Sequence, residues 1–76
     1  MKASETLDLR GFPCPGNLPI LLIKLETMSA GEMLELIVDD VVALDRIPMA
    51  LKEETEFELV RSVQNNSNIH LFIKVK

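Results

Sequence analysis

From Thr6 to Arg10 polar and apolar residues alternate, which predicts a short strand with Leu7 and Leu9 on its core side. The pattern stops between Gly11 and Gly16, where two glycines and two prolines demand a loop. Leu18, Leu21, Leu22, Leu25 and Met28 then fall on one helical face, and Ser29-Ala30-Gly31 supplies the stop. Met33 to Val38 is almost wholly apolar and ends in Asp39-Asp40, as an interior strand does. Asp40 is the expected N-cap of a second helix over Val41 to Glu54, in which Ala43, Leu44, Ile47, Ala50 and Leu51 share a face. Pro48 inside it removes a backbone donor and predicts a kink. Phe57 and Leu59 lead a third strand, Gln64 to Asn68 reads as a polar turn, and Ile69, Leu71, Ile73 and Val75 alternate in a fourth.

The order is therefore βαβαββ. Helical crossovers imply parallel pairing and the closing hairpin adds antiparallel pairing, so the sheet is mixed. Asp8, Arg10, Glu56, Glu58, His70 and Lys74 occupy the strand positions opposite the apolar ones, too many charges for a sheet covered on both faces. The expected fold is a two-layer α/β sandwich, a four-stranded mixed sheet with both helices on one face. With no internal repeat or linker, residues 1–76 read as a single domain.

Composition narrows the function. Hydrophobic residues make up 47% of the chain, yet Phe occurs three times and Trp and Tyr never, so the core is aliphatic and offers no stacking platform for bases. A net charge of -4 argues against a phosphate-backbone ligand, which leaves an RNA-binding role on a similar small sandwich disfavoured. The longest apolar run is too short to span a bilayer and the N-terminus lacks the pattern of a cleaved signal, so a cytoplasmic protein without a membrane partner is expected. One cysteine can form neither an internal disulfide nor a Cys-x-x-Cys pair, and with a single distant histidine it makes no typical zinc site. Cys14 acts alone or with another molecule.

Leu7-Asp8-Leu9-Arg10-Gly11, then Cys14-Pro15, Gly31-Glu32, Val38-Asp39-Asp40 and Ile47-Pro48 follow one another as in the TusA (SirA-like) sulfur-carrier family, which this chain resembles over most of its length. The resemblance implies the same sandwich, with the last strand antiparallel between the second and the third. It also implies that Cys14 carries sulfur as a persulfide, taken from a protein donor such as a cysteine desulfurase and passed to a protein acceptor. No metal or organic cofactor is implied, only the transient sulfur. The chain departs from the family at Asn17, which stands where the Cys-Pro-x-Pro motif has its second proline, and the Gly-His pair common after the second helix is absent around Thr55-Glu56.

The chemistry of the loop points the same way. A thiolate is the nucleophile, and a free cysteine with a pKa of about 8.5 gains from a helix N-terminus that favours the anion. Pro15 as first helical residue would make Cys14 the cap, but Pro19 opposes that register through its ring and missing donor. Asn17 is the better cap, which starts the helix near Leu18 with Pro19 in its first turn. Arg10, Gly11, Pro15 and Asn17 thus support the loop and helix start. The competing reading of Cys14 is a buried, inert small hydrophobe.

Of the remaining polar residues, His70 alternates outward and reads as a surface histidine, Asp39 as a solvated strand end, and Lys24 as a solvent-facing cation with some chance of partner contact. Ile20 and Ile23 project from the far side of the first helix, near the loop. With Phe12 they form either a protein-docking patch or an extension of the core. Two functions follow: a sulfur carrier of sulfurtransferase type, monomeric or weakly homodimeric, or a non-transferring regulatory or protein-binding module of the same fold.

Overall fold

The computed structural model describes residues 3–11, 17–53 and 56–76, with backbone alone at Asn17. Its elements are β1 (Glu5–Asp8), α1 (Asn17–Glu26), β2 (Met33–Val38), α2 (Ala43–Lys52), β3 (Phe57–Asn65) and β4 (Asn68–Val75). The sheet order is β1-β2-β4-β3, with β1 parallel to β2 and β4 antiparallel to both of its neighbours. This is the expected mixed sheet, and β4 takes the central place that the family resemblance implied. Centrality suits its sequence, because Ile69, Leu71, Ile73 and Val75 are all buried.

Period-two alternation divides the sheet into two faces. Leu34, Leu36 and Val38 of β2 join the buried residues of β4 beneath Leu21, Leu25 and Met28 of the first helical segment and Ala43, Ile47 and Leu51 of α2. Both helices therefore cover the same face. Burying each such Leu or Ile stabilises the fold by about 1.5–3 kcal/mol, which identifies this single aliphatic layer as the main source of stability. The other face carries Thr6, Asp8, Glu35, His70, Phe72 and Lys74 by register, and no helix among the described residues covers it.

Several boundaries moved for local reasons. β1 ends at Asp8 rather than Arg10, because Arg10 folds back on the Asp8 carboxylate. α2 starts at Ala43, two residues later than expected, with Val42 at the cap position in helical dihedrals and no side-chain cap bond. Asp40 is thus not the N-cap. Its Oδ1 accepts the Val42 N–H at 3.0 Å, and its carbonyl accepts the Ala43 N–H at 3.0 Å, so it closes the turn that leads into the helix. Pro48 lies within α2 and does not end it. α1 is described from Asn17, within a residue of the Leu18 register. The β3–β4 loop shrinks to Asn66 and Ser67, since Asn65 already pairs with Asn68.

Candidate functional site

The loop that carries Cys14 leaves the sheet at the C-terminal end of β1, and three devices hold its root. The Leu9 N–H donates to the Ile37 carbonyl at 2.8 Å while its side chain is buried, which fixes the last sheet-bound residue. Asp8 then clamps Arg10: its Oδ1 accepts from Arg10 Nε at 2.9 Å and from the Arg10 N–H at 3.1 Å, and its Oδ2 accepts from Nη2 at 2.7 Å. These bonds hold the Asp8 carboxyl down at about 2, below its ordinary 3.8, the side-chain bond to Arg10 being the largest cause and the backbone bond the next. The same pairing, with a lesser contribution from Asp39, raises the Arg10 pKa.

Gly11 is the third device. Its φ of 89° lies in the left-handed region, open to glycine without steric cost, and its N–H points at both carboxylate oxygens of Asp39, each 3.2 Å away. Asp39 is therefore more than a solvated strand end. It ties the root of the loop to the end of β2 across 28 positions of sequence. Sequence reasoning missed this bond because it needs the parallel β1–β2 register, which sets Asp8 beside Ile37 and so brings the two strand ends together.

Phe12, Pro13, Cys14, Pro15 and Gly16 lie outside the described residues, as does the side chain of Asn17. The thiol, the predicted Asn17 cap and the Phe12 part of the docking patch are therefore not placed. The chain is described again where α1 begins, so the loop is bounded by the Gly11–Asp39 tether on one side and a helix N-terminus on the other.

Along α1 the two faces separate as predicted. Leu21 and Leu25 are fully buried and Leu18 and Leu22 pack against the core, whereas Ile20 is 38% and Ile23 64% exposed. Those exposures favour a surface patch over core extension. Lys24 corrects its expectation: it is half-buried, and its Nζ donates to Glu5 Oε1 at 2.5 Å, so this cation is engaged with the edge of the sheet rather than held out to solvent. Val41 and Val42, 62% and 42% exposed, add apolar surface directly after the Asp39 tether. Parallel pairing of β1 and β2 brings them to the same end of the molecule as the start of α1.

Other features lie away from the loop. A cleft of 460 Å³ bounded by Pro48, Leu51, Lys52, Phe57, Leu59 and Lys76 sits at the opposite end of the strands from the Gly11–Asp39 tether. His70 faces outward as expected but has a partner that sequence did not reveal, Glu35 Oε2 at 2.7 Å from Nδ1 across the β2–β4 pair. Among the described residues no group of three or more His, Cys, Asp or Glu could hold a metal ion, and no helix is long and apolar enough to cross a membrane.

Comparison with known proteins places the chain beside sulfur-transfer proteins. The family model described as "Sulfurtransferase TusA" matches residues 5–75. A protein of Archaeoglobus fulgidus described as "Putative sulfur carrier protein" is 37% identical over 54 residues, covering 71% of this chain and 61% of the relative. The matched region thus spans about three fifths of that relative's length.

Proposed function

Because the chain belongs to the TusA sulfurtransferase family, we propose that it is a sulfur carrier in which Cys14 accepts a persulfide sulfur from one protein and donates it to another. The observation that carries this reading is the match over residues 5–75, which includes the Leu7-Asp8-Leu9-Arg10-Gly11 root and the Cys14-Pro15 pair. The root geometry supports it. Asp8, Arg10, Gly11 and Asp39 hold the start of the thiol loop through their own bonds, so the loop can present a side chain outward without drawing on the hydrophobic core.

In the transfer, the Cys14 thiolate attacks the terminal sulfur of a donor persulfide. A sulfur–sulfur bond forms to Cys14 as the bond within the donor breaks, and the donor leaves as its own thiolate. The second half repeats this chemistry on an acceptor thiol. Neither half needs a metal or an organic cofactor, and a reducing compartment such as the cytoplasm keeps the resting thiol free. The donor is a protein such as a cysteine desulfurase. It docks on the apolar ridge of Ile20 and Ile23 beside the loop, since Lys24 is already paired and interface centres depend on a few apolar anchors.

The test is intact-mass measurement after incubation with a cysteine desulfurase and cysteine. One added sulfur atom on the wild type and none on Cys14→Ser is the expected result. A wild-type protein that gains no sulfur refutes the carrier reading and favours the regulatory module, for which the Asn17 departure is the specific argument. In the same assay Ile23→Glu, changed at an exposed site, keeps its melting midpoint to within about 0.5 kcal/mol of stability but loads poorly. If it folds and loads at the wild-type rate, the ridge is not the docking surface.

A further inference from the structure

The uncovered face of the sheet holds a second candidate site, made by an irregularity in β3. This strand is an edge of the sheet, and its pairing with β4 shifts register between Leu59 and Arg61. Phe57 and Leu59 stand opposite Val75 and Ile73, on the helix-covered face. Without the shift, Arg61 and Val63 would follow them onto that face. The extra residue, Val60, reverses the phase, so Arg61 stands opposite Phe72 and Val63 opposite His70, on the open face. A bulge that re-aims a side chain in this way is a common device next to binding sites.

The residues so gathered line a groove of 300 Å³: Arg61, Val63, Asn65, His70 and Phe72. Val63 and Phe72 give it an apolar floor. Arg61 makes no ion pair among the described residues, which leaves a planar donor fork at the rim. Glu35, which stands opposite Phe72 on β2, is turned toward His70 through the bond to Nδ1, and this leaves Nε2 of the ring free of that contact. Glu58, the preceding open-face position on β3, stands opposite Lys74 by register and makes no ion pair with Arg61 among the described residues. The groove therefore joins an unpaired cation to an aromatic surface in a chain whose net charge is -4.

From this we propose that the groove binds a small aromatic carboxylate, with the carboxylate on the Arg61 guanidinium and the ring against Phe72 and Val63. Charge and shape both select this class. A guanidinium recognises a carboxylate through two parallel bonds, an aromatic ring packs offset or edge-on against Phe72, and a volume of 300 Å³ fits a small molecule rather than a protein segment. The groove is built on β3 and β4, with β2 between it and β1, and none of its lining residues belongs to the Cys14 motif.

Phenylacetate titrated into the isotope-labelled protein, followed by backbone amide shifts, tests the proposal. Shifts confined to Arg61, Val63, Asn65, His70 and Phe72 and their neighbours should saturate by about 20 mM, as a millimolar Kd requires. Acetate, which lacks the ring, and 2-phenylethylamine, which reverses the charge, should give no saturating shift there. Arg61→Gln should weaken phenylacetate about tenfold or more, the scale expected for a charged hydrogen bond, with Arg61→Lys between the two. Arg61 is exposed, so the variant should retain the wild-type spectrum outside the groove. Cys14→Ser should bind phenylacetate as the wild type does. Shifts that never saturate, equal binding of the amine, or undiminished binding by a folded Arg61→Gln would each overturn the proposal.

Discussion

Removing the Asp39 carboxylate tests whether the root of the thiol loop is held as the geometry indicates. In Asp39→Ala the Gly11 N–H loses both of the acceptors it has among the described residues. A hydrogen bond to a charged group contributes about 1.5–3 kcal/mol when buried water competition is absent. Here the partners are exposed, and the N–H is shared between two oxygens at 3.2 Å, longer than the usual distance of about 2.9–3.0 Å. The net value therefore falls to about 0.5–1 kcal/mol. For a domain of this size that lowers the melting midpoint by about 2–8 °C. Thermal unfolding followed by circular dichroism gives the global effect, and the exchange rate of the Gly11 amide gives the local one. Asp39→Asn, which keeps a neutral acceptor, should lose less on both measures. The reasoning is refuted if Asp39→Ala melts with the wild type and its Gly11 amide exchanges no faster.

Two other changes test neighbouring parts of the account. Arg10→Gln should move the Asp8 titration from about 2 part of the way toward 3.8, because the Arg10 backbone N–H still donates to Asp8; carboxyl chemical shifts against pH read this directly. A carboxyl with a depressed pKa contributes stability that is fully present above the ordinary value and is lost as pH falls through the depressed one. Wild type and Arg10→Gln should therefore differ most in neutral solution, converge as pH falls from about 3.8 toward 2, and differ less in high salt because the pair is exposed. At the hairpin, Asn66 has a φ of 57°, so Asn66→Ala should cost about 1–2 kcal/mol in urea unfolding, whereas Asn66→Gly should not destabilise. Equal loss in both would mean that the Asn66 side chain, not its backbone conformation, is what the turn requires.

The sequence by itself determined the elements and their faces, because periodicity is a local property written into consecutive residues. The alternation of Ile69, Leu71, Ile73 and Val75 specified a strand with one buried side, and the spacing of Leu21, Leu25 and Met28 specified which side of the first helix meets the sheet. Ile20 and Ile23 were legible as outward for the same reason. The loop motif was legible too, as a string of residues with a family resemblance.

What only the tertiary structure decided were the contacts that depend on which strand lies beside which. Gly11 meets Asp39 only because β1 and β2 pair in parallel with their ends aligned, and His70 meets Glu35 only because β4 enters between β2 and β3. Lys24 could be assigned to solvent from its helical position, but the edge strand that carries Glu5 passes within reach of its long side chain. Arg61 gives the clearest case. Strict alternation after Phe57 and Leu59 places it on the covered face, and nothing local announces the extra residue at Val60. A charged guanidinium is costly to bury, and a bulge on an edge strand breaks little of the ladder, so the strand shifts register instead and turns Arg61 to the open face.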